Sequence, residues 1–288
     1  MIQQLGLIGC GLIGGSVALA LKAAGTVRHV VGYSPSPTTT ERARALGVID
    51  TAAESALRAI SGADVVLIAV PVAATERTFK TIRELLPPGV LVMDVGSTKR
   101  DVVDAARRVL RERVTQFVPA HPIAGKELSG VEHADALLFQ GKRAILTPLP
   151  QTDATLLTKA EAIWRACGAE VRRMTPEAHD DAFAAVSHLP HLIAFAYFAS
   201  ILQQKEADEF LALAGPGFRD FTRIAASDPA IWRDILVSNR EQVLAQSTRF
   251  RGALDVLERT MRDTQGEALE ALISGVSQAR SHWRLNKR

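Results

Sequence analysis

Short apolar, β-branched runs alternate with helix-period stretches over the first 174 positions, and the alternation then stops. Gln3-Gln4-Leu5-Gly6-Leu7-Ile8, Val27-Arg28-His29-Val30-Val31-Gly32-Tyr33, the run from Ala63 to Pro71 and the run from Val90 to Val95 all have strand character. Phe117-Val118-Pro119-Ala120-His121 predicts one further strand running into a loop. Ala144-Ile145-Leu146-Thr147 and Glu170-Val171-Arg172-Arg173-Met174 predict late strands around a helix over residues 155–166. Strands alternating with helices predict a parallel sheet covered on both faces. From Thr175 onward strand-like runs disappear and helical periodicity continues to the end. Thr175-Pro176-Glu177 supplies an N-cap, a proline at the first helical position and an acid in the first turn. Gly215-Pro216-Gly217 interrupts the helices and Ser227-Asp228-Pro229 restarts one. Two domains are expected, residues 1–174 and residues 175–288. Late apolar positions Leu254, Leu257, Met261, Leu269, Leu272, Ile273 and Val276 pack either within a subunit or between subunits.

Gly9-Cys10-Gly11-Leu12-Ile13-Gly14 stands between the first strand and an apolar helical run. A strand–turn–helix unit of this kind needs Gly9 for its tight turn, Gly11 for close approach of a pyrophosphate and Gly14 for helix–strand packing. The free amides of the helix start then face the phosphates. Any tight turn favours glycine, but the second strand arrives on schedule, so residues 1–174 are expected to be an α/β Rossmann-type dinucleotide-binding domain followed by an all-α helical domain. Leu12 and Ile13 in the turn, and Val70 and Pro71 at the end of the third long strand, join the glycines as expected cofactor contacts. In such sheets ligands sit outside the carboxyl ends of the strands.

Composition changes this picture little. The chain has 288 residues, 47% hydrophobic and 23% charged, as in an ordinary globular protein. Its net charge of +3 is small and scattered, which gives no reason to expect a nucleic-acid partner. Leu7-Ile8-Gly9-Cys10 imitates an export signal, but no basic leader precedes it and glycines break the apolar run. No membrane association is expected. Two distant cysteines, Cys10 and Cys167, suit a reduced, cytoplasmic setting.

Several polar residues then stand out. His121 in His121-Pro122-Ile123-Ala124-Gly125 follows a strand, where it can take a hydroxyl proton while hydride leaves the same carbon; the alternative is a loop histidine bonded to backbone. Ser97, after another strand, is a candidate to hydrogen-bond the reacting hydroxyl, or part of a mere helix start. His188 and His191 share a helix face around Pro190, which cannot donate to the Val186 carbonyl and so predicts a bend. They serve a binding site or ordinary packing, with half a metal site ranked last, and no metal is expected. Arg219 and Arg223 share a face with Asp220 between them, as a carboxylate clamp or as a surface charge cluster.

Taken in order, these motifs resemble the prephenate dehydrogenase family, with its arogenate and cyclohexadienyl members. The resemblance rests on Gly9 to Ser16, Asp94-Val95-Gly96-Ser97-Thr98-Lys99, His121 to Gly130, Ser187-His188-Leu189-Pro190-His191, Gly217 to Ala225, Ser227-Asp228-Pro229 and Trp232-Arg233-Asp234. It implies oxidative decarboxylation of prephenate on the route to tyrosine, with hydride passing from ring C4 to NAD or NADP. His121 would bind the 4-hydroxyl and take its proton with Ser97 beside it. Arg223 would hold a substrate carboxylate, His191 would recognise the side chain and His188 would support them. The resemblance also implies a homodimer through the helical domain, with the region of Trp232 reaching towards the partner's site. A histidine at position 191 favours prephenate over arogenate. Ser34 ends the second strand where an acid would grip the adenosine ribose, so a 2′-phosphate is not repelled. Arg42 and Arg44 are the nearest downstream arginines, and the expectation leans to NADP with NAD open. The competing expectations are a hydroxyacid or ketopantoate-type dehydrogenase, which would need a lysine in the helical domain, and a silent NAD(P)-binding protein.

Overall fold

A computed structural model describes residues 1–125 and 128–283. The first half opens with β1 (Ile2–Ile8), α1 (Leu12–Ala23), β2 (Val27–Tyr33), α2 (Pro37–Ala45), β3 (Thr51–Ala52) and α3 (Ala56–Ile60). It continues through β4 (Val65–Ile68), α4 (Val72–Ile82), β5 (Leu91–Asp94), α5 (Arg100–Leu110) and β6 (Phe117–Val118). The six strands form one parallel sheet in the order β3-β2-β1-β4-β5-β6. Alternate residues of its central strands go to opposite faces: Leu67 and Met93 enter one buried layer, Ile68 and Val92 the other. Such strands are apolar on both sides, so they are continuous hydrophobic runs in sequence. The strand order reverses between β1 and β4, and a crevice opens there at their carboxyl ends.

The expectation of one strand over residues 117–121 needs correction. Pro119 has no N–H to give to a ladder, and the chain leaves the sheet there. β7 (Ala120–Pro122) instead pairs antiparallel with β8 (Arg143–Leu146). After α6 (Ala154–Ala166), β9 (Glu170–Arg173) pairs parallel with β8. The late strands therefore form a separate three-stranded sheet, β7-β8-β9.

Helices follow from Pro176. Thr175 caps α7 (Pro176–Phe183) by accepting the Ala178 amide at 3.1 Å. A π-helical turn over Ala184–His188 leads into α8 (Leu189–Leu202). The missing amide of Pro190 produces a widened turn here, as happens where the i→i−4 ladder is interrupted. The run Pro176–Leu202 is long and apolar enough to cross a membrane by length and composition. It also carries His179, Asp180 and His188, all buried against the rest of the chain, while only 17% of its apolar window is buried within this chain. The remaining helices are α9 (Ala207–Ala212), α10 (Pro216–Thr222), α11 (Pro229–Ser238), α12 (Arg240–Arg262) and α13 (Gly266–His282). Contacts of α7 with α5 and of α11 with α4 join the helical half to the sheet half.

Candidate active site

Gly9 has φ +100°, and a Cβ there would lie 2.2 Å from the Ala69 carbonyl oxygen. Any side chain would push the turn after β1 away from the end of β4. Gly14 is equally confined, with a Cβ placed 2.3 Å from the Gly9 carbonyl oxygen. A Cβ on Gly11 would meet nothing within 4 Å, so this glycine borders open space. Two cavities meet at that point. One of about 510 Å³ is lined by Gly9, Gly11, Ser34, Ser36, Val70, Pro71 and Arg77. The other, of about 380 Å³, is lined by Gly11, Leu12, Ile13, Val70, Pro71, Ser97, Gly125 and Trp232. Two compartments joined at an uncapped helix start have the layout a dinucleotide requires: one half on each side, pyrophosphate on the α1 amides. The residues fit a nicotinamide dinucleotide.

Ser34 is engaged by the turn itself. Its Oγ accepts the Cys10 amide at 2.9 Å, and its own amide donates to Thr40 Oγ1 at 3.2 Å. Neither Arg42 nor Arg44 lines the adenosine-side cavity. Arg42 lies 3.8 Å from Glu132, and Arg44 pairs with Glu41 at 2.8 Å, one helical turn away. The guanidinium on the cavity wall belongs to Arg77.

Asp94 and Lys99 fasten the loop that carries Ser97 to the strand that carries His121. Asp94 Oδ2 accepts the Gly96 amide at 2.8 Å and Lys99 Nζ at 2.5 Å, while Oδ1 accepts the Ala120 amide at 3.0 Å. Lys99 Nζ also donates to the Ala120 carbonyl at 2.7 Å. Burial draws the Lys99 ammonium below its usual pKa, with Asp94 opposing the shift. An ion pair this deep is costly to break by removing one partner.

His121 is half-buried, and its Nδ1 lies 2.8 Å from His179 Nε2. Burial holds the His121 pKa well below 6.5, and the neighbouring His179 ring and Lys99 ammonium add to that. The imidazole is therefore neutral at pH 7, as a general base must be. His179 stacks near Phe183 and presents Nδ1 to Asp180 Oδ1 at 2.7 Å. Asp180 also accepts the amides of Lys99 at 2.8 Å and Arg100 at 2.9 Å. Burial pushes its carboxyl pKa up, but these donors together bring it below the usual value.

His188 is buried and accepts from Asn239 Nδ2 at 3.1 Å; the same amide donates to the Asp180 carbonyl at 2.8 Å. Burial first, then its histidine neighbours, lower the His188 pKa to about 4. His191 Nδ1 bonds the Ser187 carbonyl at 2.9 Å, and its ring stacks on Trp232 at 3.4 Å between centroids. Trp232, expected towards a partner's site, thus packs on a histidine of its own chain. Burial lowers the His191 pKa, and the Arg223 charge contributes, which locates Arg223 near His191. The two arginines do not share one helix: Arg223 opens a 3₁₀ turn after α10, and Arg219, with an 80% exposed side chain, sits 3.9 Å from Asp220. Arg219 is the surface charge cluster. Among the described residues no three His, Cys, Asp or Glu side chains group as metal ligands. Lys126 and Glu127, inside the motif that begins at His121, lie outside the described residues.

Sequence reasoning quoted Asp94 and Lys99 within a motif but gave them no role, and it passed over His179, Asp180 and Asn239. The signals were an acid closing an otherwise apolar strand, a lysine five positions later, and a His-Asp pair in the second turn of the helix capped by Thr175. Each is ordinary until the tertiary structure buries it.

Comparison with known proteins agrees with this geometry. Residues 17–173 match the family model for the prephenate dehydrogenase nucleotide-binding domain, and residues 175–274 match that for the prephenate dehydrogenase dimerization domain. A prephenate dehydrogenase of Bacillus subtilis is 38% identical, over 91% of this chain and 71% of the relative. A cyclohexadienyl dehydrogenase of Zymomonas mobilis is 33% identical, over 93% of this chain and 92% of the relative. The crystal structure of a prephenate dehydrogenase from A. aeolicus, in complex with hydroxyphenyl propionate and NAD+, superposes with a TM-score of 0.92. It is 35% identical, covering 98% of each chain. Two family models in sequence, relatives matched over nearly the whole chain and a closely superposing structure agree: the chain belongs to the prephenate dehydrogenase family.

Proposed function

We propose that this protein oxidatively decarboxylates prephenate to 4-hydroxyphenylpyruvate in tyrosine biosynthesis. The observation that carries the proposal is the pair of cavities meeting at Gly11, one of them bounded by Ser97 on the sheet side and Trp232 on the helical side. A bound NAD(P) supplies the hydride acceptor. Gly9, Gly11, Leu12, Ile13 and Gly14 would hold its pyrophosphate, and Ser34, Val70 and Pro71 would border its adenosine half. His121, neutral at pH 7, would take the proton of the 4-hydroxyl as hydride leaves C4, with Ser97 a second hydrogen-bond partner. Loss of the ring carboxylate as carbon dioxide then returns its electron pair to the ring, which becomes aromatic. The C4 oxygen takes back the proton held by His121, and the aromatisation draws the reaction forward. Arg223 would hold a substrate carboxylate, since a guanidinium fork matches one. His191, fixed on Trp232, would recognise the side chain, and His188, fixed by Asn239, would support the wall.

The cofactor and the organisation follow the same reading. Among the described residues no carboxylate lines the adenosine-side cavity, whereas Arg77 does, which supports acceptance of NADP. The A. aeolicus relative, crystallised with NAD+, keeps NAD in the comparison. Residues 1–174 would bind cofactor, and residues 175–288 would complete the substrate site and form a homodimer. A biosynthetic role of this kind supports a cytoplasmic setting. One kinetic matrix tests the proposal: prephenate and arogenate, each with NAD and NADP. Prephenate with NADP is expected to give the highest kcat/KM. No turnover in any of the four combinations rejects the function, and exclusive use of NAD rejects the cofactor preference.

A further inference from the structure

We propose that His179 and Asp180, contributed by the helical half, set the tautomer of His121, placing its proton on Nδ1 and leaving Nε2 unprotonated for the substrate hydroxyl. This rests on the reading of His121 as the base. The assignment follows from counting protons along three groups. Asp180 Oδ1 accepts the Lys99 amide at 2.8 Å and Oδ2 accepts the Arg100 amide at 2.9 Å. These donors outweigh the burial that would favour its protonated form and keep it a carboxylate with no proton to give. His179 Nδ1, 2.7 Å from Oδ1, is therefore the donor. Burial keeps His179 neutral with a single ring proton, so its Nε2 carries the lone pair. His121 Nδ1, 2.8 Å away, has to donate to it. The remaining lone pair of neutral His121 is then on Nε2.

The chain works for the base as a carboxylate works for the histidine of a serine protease, with one more imidazole between them. When Nε2 takes the hydroxyl proton, the Nδ1–H bond to His179 remains in place and the positive charge forms within reach of the Asp180 charge. The same carboxylate clasps the amides at the start of α5, just beyond Ser97, so one group of the helical half orders both sides of the reacting hydroxyl. His179 and Asp180 are positioning residues; neither needs to touch substrate.

The test combines nitrogen-15 NMR of the histidine rings with kinetics on the full-length protein. Wild type at pH 7.5 is expected to show His121 as the Nδ1–H tautomer. His179→Phe keeps the ring volume beside Phe183 and removes the acceptor. It should shift His121 towards Nε2–H and lower kcat roughly 30–1,000-fold, with KM for prephenate and Kd for cofactor within about threefold. His179→Gln returns an acceptor near the Nε2 position and should recover much of kcat. A wild-type spectrum with His121 protonated on Nε2 overturns the proposal. So does an unchanged tautomer in His179→Phe. Should His179→Phe fail to fold, the wild-type spectrum and His179→Gln decide the matter. His121→Asn separates the two readings: if it turns over like wild type, His121 is not the base, while the spectra still judge its tautomer independently.

Discussion

The sheet half and the helical half close their interiors in different ways. Both buried apolar layers are built from residues between Ile2 and Ala169, with Leu5, Leu67, Phe79, Phe117 and Trp164 fully enclosed. In the helical half the buried apolar residues among those described are Ala184, Leu189, Ala194, Ile235 and Val243. Helix α12 runs for 23 residues with Val243 alone buried, and α13 runs for 17 with none. Leu213, Leu244, Met261 and Val276 are each more than 60% exposed. Isolated helices have little stability in water without an apolar face to pack, and apolar area of this extent marks an association surface. One half is a finished domain; the other has the character of half an interface. That agrees with the match of residues 175–274 to a dimerization domain and with the proposed homodimer.

The largest expected effect lies where the halves meet. His121→Asn should lower kcat by about 10²–10⁴-fold, the scale for loss of a general base, with cofactor affinity nearly intact. Steady-state kinetics and a cofactor titration check it. Unchanged turnover would mean that the junction is structural only.

Next comes a direct contrast of interiors. Leu67→Ala, in a fully buried strand, should cost about 2–5 kcal/mol in denaturant unfolding. Ile273→Glu, at a position 54% exposed, should leave the sheet half's unfolding unchanged and halve the mass seen by light scattering. An unaltered mass for Ile273→Glu would remove α13 from the proposed interface.

Acid should weaken the junction before the sheet. His121, His179, His188 and His191 all have pKa values lowered from 6.5 in the folded protein, primarily by burial. Between those values and 6.5 the unfolded chain binds more protons, so stability is lost as pH falls below about 6.5. For His188 the window runs down to about 4. That residue alone should cost on the order of 2 kcal/mol at pH 5 relative to pH 7.5. Asp180, with a lowered carboxyl pKa, loses stabilisation in the same direction at lower pH. Melting temperatures at pH 7.5 and 5.0 measure the effect, and equal values would contradict the burial of these rings.

The smallest expected change is confined to the finished half. Ser34→Asp keeps an acceptor for the Cys10 amide and adds a charge beside the adenosine-side cavity. The ratio of kcat/KM for NADP over NAD should fall roughly tenfold, about 1.4 kcal/mol. A ratio that does not move would take position 34 out of cofactor selection.

Much of the architecture was legible because its causes are local. A strand segment buried on both faces has to be apolar, so β4, β5 up to Asp94 and the second halves of β1 and β2 stood out as runs. Gly9 stood out because its backbone excludes other residues, and α7 because Thr175 and Pro176 mark a helix start. The break at Pro119 was legible in principle, since proline cannot serve a ladder, but the pairing of β7 with β8 depends on a strand over 20 residues later. The site divides in the same way. His121, Ser97 and His191 drew notice as polar residues at strand ends or beside a proline. His179 and Asp180 did not, since a His-Asp pair on a helix is ordinary until it is buried against the amides of Lys99 and Arg100.

By itself the sequence determined two successive structural regimes, a glycine turn shaped for a pyrophosphate and the residue types of a hydride-transfer site. Hydrophobic period and backbone sterics act over a few neighbouring residues and are written directly in the chain. Only the tertiary structure decided which charges became buried partners, which nitrogen of His121 has an acceptor, and that Arg77 rather than Arg42 or Arg44 lines the adenosine-side cavity. Those outcomes depend on desolvation and on contacts between groups far apart in sequence, and both exist only after the halves have packed.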